Sequence, residues 1–152
     1  VYKRQGDAIL DSAAIVDHVL QTADPEHHLC PASGPERRRA WRLSTIAVGV
    51  MEKVLVAAYE RSKRPKEKVH EPYREKVLSQ VLAGLEALDD AAPDEGFFGG
   101  ESPNMADVNA VVAFDFASIV APDVAAQAGP RLTALAERAN ALPAFDATRW
   151  RG

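Results

Sequence analysis

Cysteine occurs once in this 152-residue chain, at Cys30. No internal disulfide can form, so the fold does not depend on an oxidising compartment. Long apolar runs are also missing. The most apolar stretch, VNAVVAFDFASIVA, carries Asn109 and Asp115 and falls short of the roughly 20 residues a membrane-spanning helix needs. Charge of one sign is lacking too: a formal net charge of −4 supplies no field that would draw the chain to nucleic acid or an anionic membrane. His27 and His28 are adjacent rather than four apart, so they share no helix face for a metal, and no metal is expected. No signal peptide shows at the start, and by elimination the chain reads as cytoplasmic. Repeats and low-complexity tracts are absent.

Strand signals are nearly absent as well. Val1-Tyr2 and Ala8-Ile9-Leu10 flank KRQGD, where Gly6 can supply the positive φ of a tight turn. This reads as the end of one strand, a turn and a short second strand. A lone hairpin is marginal in water, so its partners are expected in residues the chain lacks or in another chain.

What is abundant is helical periodicity. Ala14, Ile15, Val19 and Leu20 recur at helical spacing over about Asp11 to Thr22, with Asp11-Ser12 as the opening pair. The stretch ADPEHHLCPASGPE has three prolines, a glycine and no periodicity; it reads as a linker and a domain boundary. A long helix is expected from about Glu36 to Ser62, with Pro35 tolerated in the first turn. Its start, ERRRAWR, reads as a solvated charged face, with a dimer partner's acids as the alternative occupant. Its middle, LSTIAVGVMEKVLVAAY, is apolar on nearly every side, so the core should lie on one side and a partner subunit or a ligand cleft on the other. Val48, Met51, Glu52 and Leu55 are the candidates for a cleft wall, with core or subunit interface as the alternatives. Gly49, in mid-helix, marks either a close approach or a tolerated defect.

RSKRPKEKVHEP interrupts the pattern. A cleanly amphipathic helix follows from about Pro72 to Asp90, with Val77, Val81, Leu85 and Leu88 in one row. After the loop DDAAPDEGFFGGESP comes the most apolar helix, Asn104 to about Val120, read as buried all round. A last helix runs from about Arg131 to Leu142, and Pro143 begins a short tail with Phe145 and Trp150. The divisions are therefore residues 1–22, 23–35 and 36–152: a remnant of a sheet-containing domain, a linker and a helical domain.

Two spots carry specific chemistry. Asn104 is a strong N-cap, and Asp107 sits where its carboxylate can reach back to the cap's own N–H, which makes a capping box. Pro103 and Val108 are the candidate staple. On mechanism alone the box serves stability. Asp115, between two phenylalanines, reads as a capping or bridging residue in the core, with a cleft-facing role as the alternative. Cys30 reads as a loop cysteine.

The segment FFGGESPNMADV resembles the glutathione transferase family. There a Gly-rich approach and a Ser/Thr-x-x-Asp capping box start the central helix of the all-helical C-terminal domain; here Asn104 takes the place of Ser or Thr. GDAILDSAAIVDHV resembles the end of the family's thioredoxin-like N-terminal domain. HHLCP, YERSKRP, VLSQVLAGLEALDD and LTALAERANALPAF follow in the family's order, so the resemblance covers almost the whole chain. It implies a mainly α fold: a helical bundle of the family's C-terminal type, preceded by a strand-turn-strand-helix remnant. It also implies that Asp11 and Ser12 bind the γ-glutamyl end of glutathione, the co-substrate. Ser12 and the helix N-terminus would hold its carboxylate, and Asp11 would pair with its ammonium; the alternative is a plain N-cap. The family's catalytic Tyr, Ser or Cys matches no position here, so no catalytic residue is expected in this chain and it should be inactive alone. The expected activity of the parent protein is conjugation of the glutathione thiolate to an apolar electrophile, in a homodimer. The rivals are a non-catalytic interaction module of the same fold and a plain helical bundle with accidental matches.

Overall fold

The computed structural model describes residues 2–4 and 7–150. Strands β1 (Tyr2–Arg4) and β2 (Asp7–Ile9) pair antiparallel, with Tyr2 opposite Ile9 and Arg4 opposite Asp7. Leu10 lies beyond the second strand, and the turn assigned to Gly6 falls outside the described residues. Seven helices follow: α1 (Ser12–Ala23), α2 (Gly34–Ser62), α3 (Glu71–Ala91), α4 (Met105–Val120), α5 (Pro122–Ala125), α6 (Pro130–Asn140) and α7 (Pro143–Thr148). The periodic segments thus form helices within two residues of their expected bounds. A single 3-10 turn at Lys66–Lys68, α5 and α7 were not expected. All three are six residues or shorter, too brief for a periodic stripe, and α5, α6 and α7 all start with proline in the first turn.

The 29 residues of α2 run for roughly 43 Å at the helical rise, and both α3 and α4 pack along it. Helix α4 also touches α5 and α6, which places it at the centre of the bundle. The core is aliphatic and small: Val50 and Val54 from α2, Val81, Leu85 and Leu88 from α3, Ala110, Ala113 and Ala117 from α4, and Leu132 and Leu135 from α6. Alanine dominates the buried side of α4, which lets neighbouring backbones approach it. Helix α4 is not buried all round, however. Val108, Val112 and Ile119 are more than two-fifths exposed. The first two line a cavity rather than the core. Among the described residues no helix is long and apolar enough to cross a membrane.

The close approach between helices lies elsewhere than at Gly49. A methyl group added at Gly49 would meet open space, whereas one added at Gly84 would stand 2.5 Å from Val50 Cγ2. Gly84 lies three residues after Val81 and four before Leu88, on the buried stripe of α3, so α3 and α2 meet there through the missing side chain. The two glycines should respond with opposite sign. Gly49→Ala should stabilise the chain by about 1 kcal/mol through helix propensity. Gly84→Ala should destabilise it by about 1 kcal/mol, because overpacking against a stiff β-branched neighbour exceeds the propensity gain. Urea unfolding of the two variants beside the parent chain checks both.

Candidate functional site: a cavity between α2 and α4 beneath the C-terminal tail

Three segments of the bundle are fastened by carboxylates that accept backbone N–H groups. Asp107 starts α4. Its side chain is fully buried; Oδ1 accepts the Phe98 N–H at 2.7 Å, and Oδ2 accepts those of Gly99 at 3.2 Å and Asn104 at 2.8 Å. Asn104 Oδ1 in turn accepts the Ala106 N–H at 2.8 Å, completing the capping box. Burial pushes the Asp107 carboxyl above the ordinary carboxylate range, against the pull of the three N–H donors. Val108, the candidate staple partner of Pro103, is instead turned to the cavity.

The linker is the second segment. Asp24 Oδ1 and Oδ2 accept the N–H groups of His28 at 2.9 Å and Leu29 at 2.7 Å. Burial would raise its carboxyl, but the backbone donors of Leu29, His28 and Cys30 outweigh that and hold it below the usual range. Arg37 bridges α1, linker and α2: it donates to Asp17 Oδ1 at 2.8 Å, to the Pro31 carbonyl at 3.1 Å and to Cys30 Sγ at 3.3 Å. Arg37 is therefore no part of a solvated face, and Cys30 is a buried thiol with a partner, raised in pKa by burial against the pull of Arg37. Arg38 and Arg42 are exposed, as expected. His28 Nε2 meets Glu26 Oε2 at 2.7 Å on the surface.

The third segment is α6 with its tail. Asp89, on α3, accepts the Leu132 N–H at 2.8 Å and so caps α6 from outside. Gly129 leaves room for it, because a Cβ there would lie on the Asp89 carboxylate.

A partly open cavity of about 630 Å³ lies between α2, α4, α7 and the residues after it, within the range of small-molecule sites. Met51, Glu52 and Leu55 of α2 form one wall. Val108, Val111, Val112, Asp115 and Phe116 of α4 form the other, and Phe145 of α7 and Trp150 close over them. Trp150 packs against Phe116 with ring centroids 5.8 Å apart and the ring planes tilted by 49°. Asp115 anchors this tail: Arg149 Nε and Nη2 donate to its two oxygens at 2.9 and 3.1 Å, and Asn140 Nδ2 donates to both at 3.1 and 3.2 Å. Asp115 is thus both a bridge and a cavity residue.

Asp11 caps α1. Its Oδ1 accepts the Ala13 N–H at 2.8 Å, and its φ of 75° is a left-handed conformation rare for a non-glycine residue. Ser12 is the first residue of α1, exposed, and its hydroxyl has no hydrogen-bond partner among the described residues.

The profile of the glutathione S-transferase C-terminal domain matches residues 57–142, more than half of the chain. The chain belongs to the glutathione transferase family. Solved structures of that family resemble it along nearly its whole length. A glutathione S-transferase of Methylobacterium radiotolerans, crystallised with glutathione sulfonate, is 21% identical with a TM-score of 0.82, over 94% of this chain and 67% of its own. A family member from Pseudomonas fluorescens with bound S-(propanoic acid)-glutathione is 23% identical with a TM-score of 0.81, over 100% of this chain and 76% of its own. A Pseudomonas fluorescens structure with bound glutathione is 26% identical with a TM-score of 0.78, over 97% of this chain and 70% of its own. No curated protein matches the chain. The mainly helical architecture behind a strand pair is the glutathione transferase fold expected from the sequence, and the strand pair removes the plain-bundle reading.

Of the four candidates on α2, Met51, Glu52 and Leu55 line the cavity and Val48 does not. Val48 shares their face but lies a turn short of the cavity's end, half-buried. Of the other wall the sequence reading offers only Asp115, as the alternative to a core bridge. Its signals were present: Val108, Val112 and Asp115 recur at helical spacing, and Phe145 and Trp150 are aromatics following Pro143.

Proposed function

We propose that this chain forms the second-substrate half of a glutathione-conjugating enzyme. The cavity carries the reading: it is walled by aliphatic and aromatic side chains, sits on the helical part, and suits a small apolar electrophile. Asp11 and Ser12 are assigned to the γ-glutamyl end of glutathione. The free hydroxyl of Ser12 and the N-terminus of α1 suit a carboxylate, and the glutathione-bound relatives support the ligand. In the reaction the glutathione sulfur forms a bond to the electrophilic carbon, and the displaced electron pair leaves with a leaving group or moves into the electrophile's conjugated system. The group that lowers the thiol pKa matches none of these residues, so the chain is assigned substrate binding rather than thiol activation. Val56 and Tyr59, exposed on α2, are the surface assigned to the second subunit of a homodimer.

The test is a calorimetric titration of glutathione into the protein, beside Ser12→Ala. Loss of a hydrogen bond to a charged group should weaken binding by about tenfold. A folded protein that binds no glutathione sinks the assignment and leaves the interaction-module reading.

A further inference from the structure

Charge is distributed unevenly in the cavity. Three ionisable side chains line it: Glu52, Asp115 and Arg149. Asp115 and Arg149 neutralise one another in a two-point pair that Asn140 reinforces. Glu52 is exposed at the rim and has neither hydrogen bond nor ion pair among the described residues. The remaining lining is apolar, with Leu55, Phe116, Phe145 and Trp150 the largest surfaces. The cavity's one uncompensated charge, among the described residues, is therefore negative and stands beside apolar walls.

We infer that Glu52 sets the charge preference of this cavity, selecting an aromatic-sized ligand that carries an ammonium or other N–H donor and discriminating against a carboxylate or sulfonate of the same shape. The inference rests on the reading of the cavity as the electrophile site and narrows its substrate class. An apolar body supplies binding through burial against the leucine and aromatic walls. A cationic or N–H-bearing substituent then meets the Glu52 carboxylate, and its cation can also lie over the exposed Trp150 ring. Among the described residues lining the cavity, an anionic substituent meets no free cation, since the Arg149 guanidinium is already committed to Asp115. Specificity here comes from the repelled ligand as much as from the attracted one.

The experiment uses three probes with one naphthalene body: naphthylmethylammonium, naphthylmethanol and naphthoate. Each is titrated into the chain, with Trp150 emission reporting occupancy and Trp150→Phe confirming the site. The ammonium should bind roughly three- to tenfold more tightly than the carboxylate, the scale of a partly exposed charge interaction. Glu52→Gln should remove most of that difference while leaving the alcohol's affinity unchanged. Glu86→Gln removes an equal charge from the exposed face of α3 and should preserve the preference, which separates Glu52 from the net charge of −4. Equal binding of ammonium and carboxylate, or a preference that survives Glu52→Gln, overturns the inference and leaves the electrophile site standing. Failure of all three probes to bind overturns both.

Discussion

Asp107→Ala should cost the chain about 4 kcal/mol of stability, the sum expected when three backbone donors lose a buried acceptor at once. Phe98, Gly99 and Asn104 all direct their N–H groups at this one carboxylate, and the side chain is fully buried, so little water can replace it. Asp107→Asn should be nearly as damaging. Both carboxylate oxygens accept, and an amide turns an NH2 group toward one set of donors. An ordinary exposed N-cap costs nearer 1 kcal/mol, so the size of the effect separates a cap that only starts a helix from one that also folds the preceding loop. Urea unfolding followed by circular dichroism gives the number. A loss of 1 kcal/mol or less would show that the loop does not depend on Asp107.

Gly129→Ala should be the second most damaging of these changes, at about 2 kcal/mol, although its backbone is ordinary. Gly129 has φ −71°, a conformation any residue adopts, so strain is not the reason. The added methyl would occupy the position of the Asp89 carboxylate. Displacing it leaves α6 without the acceptor that now takes the Leu132 N–H, and Gly129 itself provides no side-chain cap. Losing that charged cap accounts for the cost. The double variant Asp89→Ala/Gly129→Ala distinguishes this from simple crowding: once Asp89 is gone, the alanine at 129 should add almost nothing. Additive losses would refute the mechanism.

The sequence carried the helices because their stripes are long. Val77, Val81, Leu85 and Leu88 repeat over a span that leaves no other period open, and all four are buried. It also carried half of the α4 cap, since Asn104 and Asp107 are three residues apart and that spacing is local. Phe98 and Gly99 could not be read as further partners, because their N–H groups reach Asp107 only after the loop has folded back, with Phe97 and Gly100 exchanging two backbone hydrogen bonds. The cavity divides the same way. Its α2 wall shows as apolar residues on the side of a helix away from the core. Its α4 wall was hidden by composition: a helix this rich in alanine and valine looks buried on every side until its neighbours are placed. Gly49 and Gly84 teach a related lesson. Position along a helix says little about a glycine, whereas membership of the buried stripe, which Gly84 has, points to a close approach.

The linker contains a further consequence. The Leu29 carbonyl accepts the Met105 N–H at 2.9 Å, one of the donors that the first turn of α4 cannot satisfy within itself. Asp24 shapes the segment that presents that carbonyl, and Arg37 fastens the same segment to α1. The most buried helix of the bundle is thus completed by residues some 75 positions earlier, from the stretch whose proline content marks it as a boundary. That boundary divides composition, not backbone hydrogen bonding: amide exchange at Met105 should report the opening of the linker.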